Sequence, residues 1–366
     1  MSIQSIAINT GGGDAPGLNA VIRASVLAAL NRGWKCYGIR DGYHGILMPE
    51  LYPDGGIIPL TKDRVRGITH LGGTILGTTN RGNPLHYPVE QSDGSYLEIN
   101  RADELLDKFH ELNIDALLAI GGDGSLTIAN AFVERGFPVV GVPKTIDNDL
   151  FGTEVTFGFD SAVSFATECI DRLHSTAESH HRVMIVEVMG RYAGWIALHA
   201  GVAGTADAIL IPEIPYSIEK IAQKVTDREQ TGRHFSIIVV AEGAKPNDGD
   251  ISIIGKSVGQ SERLGGAGER VAKQIEQLTG KETRVVVLGH LLRGGTPTTF
   301  DRLLSLRFGT AAVRALAAGE TGVMVGLESS EIRCVPFSDV AGKMRGVPLH
   351  SDTILTARDL GITFGD

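Results

Sequence analysis

Cysteine is scarce in this chain. Cys36, Cys169 and Cys334 are the three present, far apart and without a C-x-x-C pair. That speaks against a disulfide framework and a structural zinc site, and makes a reducing compartment the default. Long apolar runs are also missing: none approaches the ~20 residues of a membrane span. Residues 3–9 read directly as a strand, with no charged leader and apolar stretch ahead of them. Neither membrane insertion nor export is expected; a cytoplasmic setting is. Positive charge is in deficit, 34 Lys and Arg against 43 Asp and Glu, for a net charge of −9. General binding to nucleic acid or acidic membranes needs a basic face, which this balance does not supply. An anionic ligand must therefore be held locally, by a few Arg, Lys and backbone N–H groups.

Glycine is plentiful, with 47 of the 366 residues, about twice its usual share. The glycines are clustered, which points to special backbone turns rather than disorder. The length suits two domains of ordinary size. Short apolar runs at 5–9, 35–39, 116–120, 139–142, 183–188, 208–211, 237–241, 285–288 and 323–326 read as strands. Helical patterns lie between them, as at 19–30, 102–112, 162–176 and 302–318; in the third, Val163, Ala166, Ile170 and Leu173 recur at helical spacing. This alternation predicts an α/β protein of parallel βαβ units, with helices on both sheet faces. Ligands then gather at the carboxyl ends of the strands. Residues 81–97 and 245–268 read as surface excursions.

Two glycine loops follow predicted strands. Thr10-Gly11-Gly12-Gly13-Asp14-Ala15-Pro16-Gly17 opens a helix at about Asn19, so backbone N–H groups and a helix N-terminus are available to an anion. Gly121-Gly122-Asp123-Gly124-Ser125 repeats the arrangement after 116–120. Asp123 is placed to reach a Mg²⁺ that neutralises a polyphosphate, and Ser125 to cap the next helix. Tight turns with caps would leave the same trace, but two such loops in one half favour phosphate binding.

Pro143-Lys144-Thr145-Ile146-Asp147-Asn148-Asp149 closes another predicted strand. If extended, it sets Thr145, Asp147 and Asp149 on one face and Ile146 and Asn148 on the other. One carboxylate could take a proton from an attacking hydroxyl while the other helps to hold Mg²⁺; Asp-Asn-Asp is also good turn chemistry. In the other half, Met189-Gly190-Arg191, Glu242 and His290-Leu291-Leu292-Arg293 follow strands, while Arg182 and Arg284 sit at strand starts. Arginines of this kind suit bidentate phosphate recognition, and a carboxylate among them suits a sugar hydroxyl.

With these segments in order, the chain resembles the 6-phosphofructokinases over most of its length. The resemblance rests on 11–17, 121–125, 143–149, 179–182 with 186–191, and 281–295 continuing to Asp301-Arg302. It implies two Rossmann-like three-layer α/β/α domains with mainly parallel sheets and an active site in the cleft between them. Residues 1–158 with 292–342 would take the phosphoryl donor, and 159–291 with 343–366 the sugar phosphate. Asp147 would be the base for the sugar 1-hydroxyl, with Thr145, Asp149 and Arg191 as its catalytic neighbours. Gly13, Asn80, Arg81 and 122–125 would hold ATP, with Asp123 on Mg²⁺. Fructose 6-phosphate would meet 145–147, Met189, Gly190, Arg191, Glu242 and 290–293. Arg182 and Arg284 would reach its 6-phosphate from a neighbouring subunit of a homodimer or homotetramer.

The departures concern donor and regulation. Gly124 matches the ATP-dependent members, which have Gly where the pyrophosphate enzymes usually have Asp, whereas Lys144 matches the pyrophosphate type. An acid at 124 would exclude a nucleotide's α-phosphate directly, so ATP is favoured and pyrophosphate is the alternative. Arg81 stands one position along from an arginine of the common bacterial enzymes, placed to take over its role at the transition state. Arg23 keeps one effector-site position, but Leu27 and His174 replace arginines there. NAD-type or lipid-type kinases share Gly-Gly-Asp-Gly but lack Met-Gly-Arg and His-x-x-Arg-Gly-Gly. A silent sugar-phosphate-binding paralogue would have lost Asp147.

Overall fold

The computed structural model describes residues 3–80, 82–255 and 263–366. From the N-terminus these form β1 (Ser5–Thr10), α1 (Leu18–Leu30), β2 (Lys35–Ile39), α2 (His44–Leu47), β3 (Ile57–Pro59), β4 (Tyr87–Glu90) and β5 (Tyr96–Ile99). Then come α3 (Ala102–Glu111), β6 (Ala116–Gly121), α4 (Asp123–Val133), β7 (Val139–Pro143), α5 (Phe159–His180), β8 (Val183–Val188), α6 (Trp195–Ala203) and β9 (Ala208–Leu210). After these run α7 (Ile218–Gln230), β10 (Ser236–Ala241), β11 (Ile253–Gly255), β12 (Arg263–Leu264), α8 (Ala267–Thr279) and β13 (Thr283–Val287). The chain closes with α9 (Thr299–Ala318), β14 (Val323–Glu328), β15 (Glu331–Pro336), α10 (Phe337–Val340) and α11 (Asp352–Asp359).

The chain divides into two compact units. The first comprises Met1–Thr145, Leu150–Gly158 and Arg293–Met344; the second, Ile146–Asp149, Phe159–Leu292 and Arg345–Asp366. Among the described residues of the first, seven strands form a sheet in the order β15-β14-β7-β6-β1-β2-β3. Its five inner strands are parallel, and β3 and β15 add antiparallel edges. Every residue of β1, β6 and β7 is buried, because helices cover both faces and leave no polar side for alternation. One face packs Ile6, Ile8 and Leu118 against α1 and α9, including Val21, Ile22 and Phe308. The other packs Ala7, Leu117 and Val139 against α3 and α4, including Phe109 and Phe132.

Strand β1 has β2 on one side and β6 on the other. The order reverses there, so the loops leaving β1 and β6 border the crevice where sheets of this kind receive ligands. Those are the two glycine loops.

Among the described residues of the second unit, four parallel strands run β13-β8-β10-β9. Ile185, Ile238 and Val240 pack with Ile221 and Val225 of α7 and Val271 and Ile275 of α8. Thr363 bridges Ala208 in parallel, and Phe364 is fully buried.

All the expected strands are present, with shifts of one or two residues at their ends. The helix expected at 162–176 is longer, because its first turn starts at Phe159 and its last reaches His180. Not anticipated were β3, β15 and the hairpin β4–β5. The hairpin's second strand is exposed throughout, so no buried face marked it in the sequence.

Candidate active site

In the first unit the loop after β1 is held from beneath. Gly11 N–H donates to Ile120 O at 3.0 Å and Gly12 N–H to Thr79 O at 3.2 Å. Those two donors therefore face the protein, and the anion-binding reading of this loop narrows to Gly13. Gly12 has φ +75°, where a side chain is strained. The Thr78 hydroxyl donates to Thr10 O (3.1 Å) and Gly12 O (2.6 Å). Thr78 was not singled out in the sequence; its place just before Thr79 and Asn80 was the available signal.

The two glycine loops meet around Ser125. A Cβ on Gly11 would lie 2.5 Å from Ser125 Oγ, and one on Gly121 would collide with the same side chain. Glycine is thus a packing requirement at 121, where the Ser125 Cβ itself is struck, and at 11 a larger residue would displace the Ser125 hydroxyl. Gly124 differs: it is exposed, and a Cβ there would meet nothing within 4 Å. The protein's own packing therefore leaves room for a side chain at 124.

Ser125 does not cap α4 as expected. The helix begins at Asp123, its N-cap is Gly122, and no side chain accepts a capping bond. Ser125 lies in the first turn instead. The N–H groups of residues 123–125 precede the first intrahelical bond, from Leu126 N–H to Gly122 O, and so belong to the helix's anion-receiving end. Asp123 Oδ1 accepts from Gly342 N–H at 2.7 Å. Among the described residues, no three His, Cys, Asp or Glu side chains are grouped to hold a metal. A cation held by Asp123 would therefore take most of its oxygens from a polyphosphate and water. That donor set fits Mg²⁺.

Lys144 and Arg293 join the same loop. Lys144 is buried, its Nζ donates to Gly13 O, and it lies 3.3 Å from where a Cβ on Gly12 would sit. Its backbone N–H donates to Gly121 O at 2.9 Å, so Lys144 is tied to both glycine loops. Arg293 Nη1 donates to Asp14 O at 3.2 Å, and a Cβ on Gly13 would lie 2.7 Å from it. Asn80 Oδ1 is 3.9 Å from the corresponding position on Gly12. Arg81 lies outside the described residues.

The segment after β7 is not extended throughout. The strand stops at Pro143, and Asn148 adopts the left-handed region at φ 52°, which asparagine tolerates better than most residues. The strict alternation expected of the backbone is therefore broken. Accessibility still alternates: Thr145, Asp147 and Asp149 are partly exposed, while Ile146, Asn148 and Leu150 are buried. The Thr145 carbonyl accepts from the Thr156 hydroxyl at 2.7 Å, and that of Asp149 from Arg345 N–H at 2.8 Å. Both ends of the segment are thus anchored by their backbones.

In the second unit, β8 and β10 end side by side. Glu242 N–H donates to Val188 O at 2.9 Å and Gly243 N–H to Gly190 O at 3.1 Å. A Cβ on Gly243 would strike the Arg191 carbonyl. Met189, Gly190, Arg191 and Glu242 therefore converge at the carboxyl end of this sheet. His290 and Leu291 are exposed on the turn Gly289–Arg293 that follows β13, while the side chain of Leu292 is buried.

Arg182 and Arg284 do not join that group. Arg182 precedes β8, and Arg284 pairs with Met184 near the start of that strand. The length of β8, about 20 Å, separates them from Met189 and Glu242. They are instead joined to Glu282: Arg182 Nε is 2.9 Å from Glu282 Oε2, and Arg284 Nη2 donates to Oε1. The adjacent Arg182 holds the Glu282 carboxyl below the usual glutamate range. Of the effector-site positions, Arg23 donates to Val65 O at 2.7 Å, and His174 Nε2 is 2.8 Å from Gly204 O.

With this geometry in place, comparison with known proteins gives consistent matches. The family model described as Phosphofructokinase matches residues 5–316. The chain is 53% identical over 366 residues to the "ATP-dependent 6-phosphofructokinase" of Chloroflexus aurantiacus, covering 99% of this chain and 98% of that one. It is 48% identical over 366 residues to the "Pyrophosphate--fructose 6-phosphate 1-phosphotransferase" of Streptomyces coelicolor, covering 99% and 100%. Among solved structures, Pichia pastoris phosphofructokinase superposes with a TM-score of 0.76 at 32% identity, over 92% of this chain and 35% of that chain.

Proposed function

The chain belongs to the phosphofructokinase family, and from that membership and the site geometry we propose that it transfers the terminal phosphoryl group of ATP to the 1-hydroxyl of fructose 6-phosphate. The products are fructose 1,6-bisphosphate and ADP. The observation that carries ATP as donor is Gly124, with nothing within 4 Å of where a Cβ would stand. A glycine that packing does not require, beside a helix N-terminus, is the residue that leaves space for a nucleotide's α-phosphate.

The first unit takes the donor. Gly13, Asn80 and the first turn of α4 bind phosphate oxygens through N–H groups and the helix dipole, with Arg81 as the added cation. Lys144 and Arg293 supply positive charge at the same loop, where the overall charge of −9 supplies none. Mg²⁺ on Asp123 would neutralise charge on the polyphosphate.

The second unit takes the sugar, through Met189, Gly190, Arg191, Glu242 and 290–292, with Arg293 completing the motif. Asp147 accepts the proton of the 1-hydroxyl as that oxygen bonds to the γ-phosphorus and the bond to the β–γ bridging oxygen breaks. Thr145 and Asp149 flank it, and Arg191 faces the charge that develops. Because Arg182 and Arg284 sit about a strand's length from the sugar residues of their own chain, they serve the 6-phosphate bound to a second copy. The protein then works as a cytoplasmic homo-oligomer with shared sites.

Pyrophosphate is the second reading, favoured by Lys144 and by the Streptomyces coelicolor relative's name. Initial rates of fructose 1,6-bisphosphate formation with ATP and with pyrophosphate, side by side, decide it. Turnover with pyrophosphate alone would reverse the donor assignment, and turnover with neither would reject the function.

A further inference from the structure

The amino end of the second unit's sheet holds a carboxylate with no part in the scheme above. Glu282 immediately precedes β13 and lies against both Arg182 and Arg284. The sheet fixes all three: Val183 N–H donates to Glu282 O at 3.0 Å, and Thr283 and Arg284 pair with Val183 and Met184. Arg284 is engaged at both terminal nitrogens, Nη1 donating to Thr283 O at 2.8 Å and Nη2 to Glu282. Its fork is turned back on its own chain. Arg182 Nε makes an ion pair with Glu282 Oε2 at 2.9 Å.

We propose that Glu282 is an internal carboxylate that occupies the Arg182–Arg284 pair until the phosphate of the sugar substrate displaces it, and so sets the affinity for that substrate. The proposal rests on the reading that these two arginines receive the 6-phosphate. Carboxylate and phosphate are alternative acceptors for the same guanidinium donors, and a phosphate dianion brings more charge and more acceptor oxygens. The side chains of Arg182, Glu282 and Arg284 are 27%, 41% and 53% exposed, and ion pairs this exposed are weakly held. Exchange is therefore easy, yet the displaced carboxylate stays nearby and opposes the incoming anion. A residue that only oriented the arginines would leave their forks free; here both terminal nitrogens of Arg284 are engaged by its own chain.

The test is steady-state kinetics of Glu282→Gln, which keeps the shape and removes the charge. KM for fructose 6-phosphate should fall about fivefold, the worth of an exposed ion pair, with a smaller effect on kcat and none on KM for ATP. Glu282→Ser, too short to bridge both arginines, should act in the same direction. Calorimetric binding of fructose 6-phosphate to the same proteins reads the affinity without turnover. An unchanged or raised KM and Kd in both variants would overturn the proposal. Arg284→Ala separates the two layers. If it leaves KM for fructose 6-phosphate unmoved, the reading of the arginines is wrong. If it raises KM while the Glu282 variants fail to lower it, the arginine assignment stands and the role of Glu282 falls.

Discussion

In the proposed function Asp147 is the base and Gly124 sets the donor, for different physical reasons. Asp147 is partly exposed, with its Oδ1 buried, on a segment whose neighbours Ile146 and Asn148 are buried. Replacing it with alanine should lower kcat by ~10²–10⁴, the usual worth of a positioned base. KM for fructose 6-phosphate should move far less; a near-normal kcat would place the base elsewhere. Gly124 offers a sharper separation of stability from function. With no atom near its missing Cβ and a place in the first turn of α4, an aspartate there costs the fold little and suits the helix dipole. Gly124→Asp should keep its melting temperature, with a stability change within ~0.5 kcal/mol, yet lose turnover with ATP. Unchanged ATP kinetics would remove the donor argument, and an unfolded protein would refute the packing one.

Helix α6 ties the C-terminal segment to the second unit's sheet, and its pH response follows from what surrounds it. Trp195 Nε1 donates to Arg345 O at 2.9 Å, and the Arg345 guanidinium lies 4.6 Å from the Trp195 ring centre. His199, one turn along, packs edge-on against Phe159 at 5.2 Å. Burial, and then the positive charge of Arg345, hold His199 below its ordinary value of 6.5. The folded protein thus refuses a proton that the unfolded chain accepts. This part of the stability is present above pH 6.5 and is lost as the pH falls below it toward the depressed folded value. His44 of α2 is lowered in the same direction, chiefly by burial. In His199→Asn the melting temperature should fall less steeply on acidification below pH 6.5 than in the parent. Parallel curves from pH 7.5 to 5 would show that His199 takes up its proton as readily folded as unfolded.

At the scale of the whole molecule, the proposed function divides the labour between copies as well as between units. If Arg284 serves a second copy's substrate, Asp147→Ala and Arg284→Ala damage different sites of one oligomer. Each variant alone should be nearly inactive. Dissociated and reassembled together, they should regain a fraction of parent activity, because some sites then combine an intact Asp147 from one chain with an intact Arg284 from another. Hybrids no more active than the separate variants would confine each site to one chain and undo the shared-site proposal.

The sequence alone determined what depends on local order along the chain. Parallel strands buried on both faces must be apolar along their length, so β1, β6, β7, β8 and β10 were legible from 116–120 and its counterparts. Glycine loops at strand ends, and the order of the phosphofructokinase-like segments, are enough to point to the family without any tertiary contact. Tertiary structure decided what depends on residues distant in sequence. It turned the Gly11 and Gly12 donors inward, moved Ser125 from a cap to the packing contact between two loops, and set Lys144 and Arg293 on the loop at Gly13. It also closed Arg182 and Arg284 on Glu282. No spacing rule contains these facts, because each joins residues far apart in sequence, and which segments meet follows from packing the whole chain.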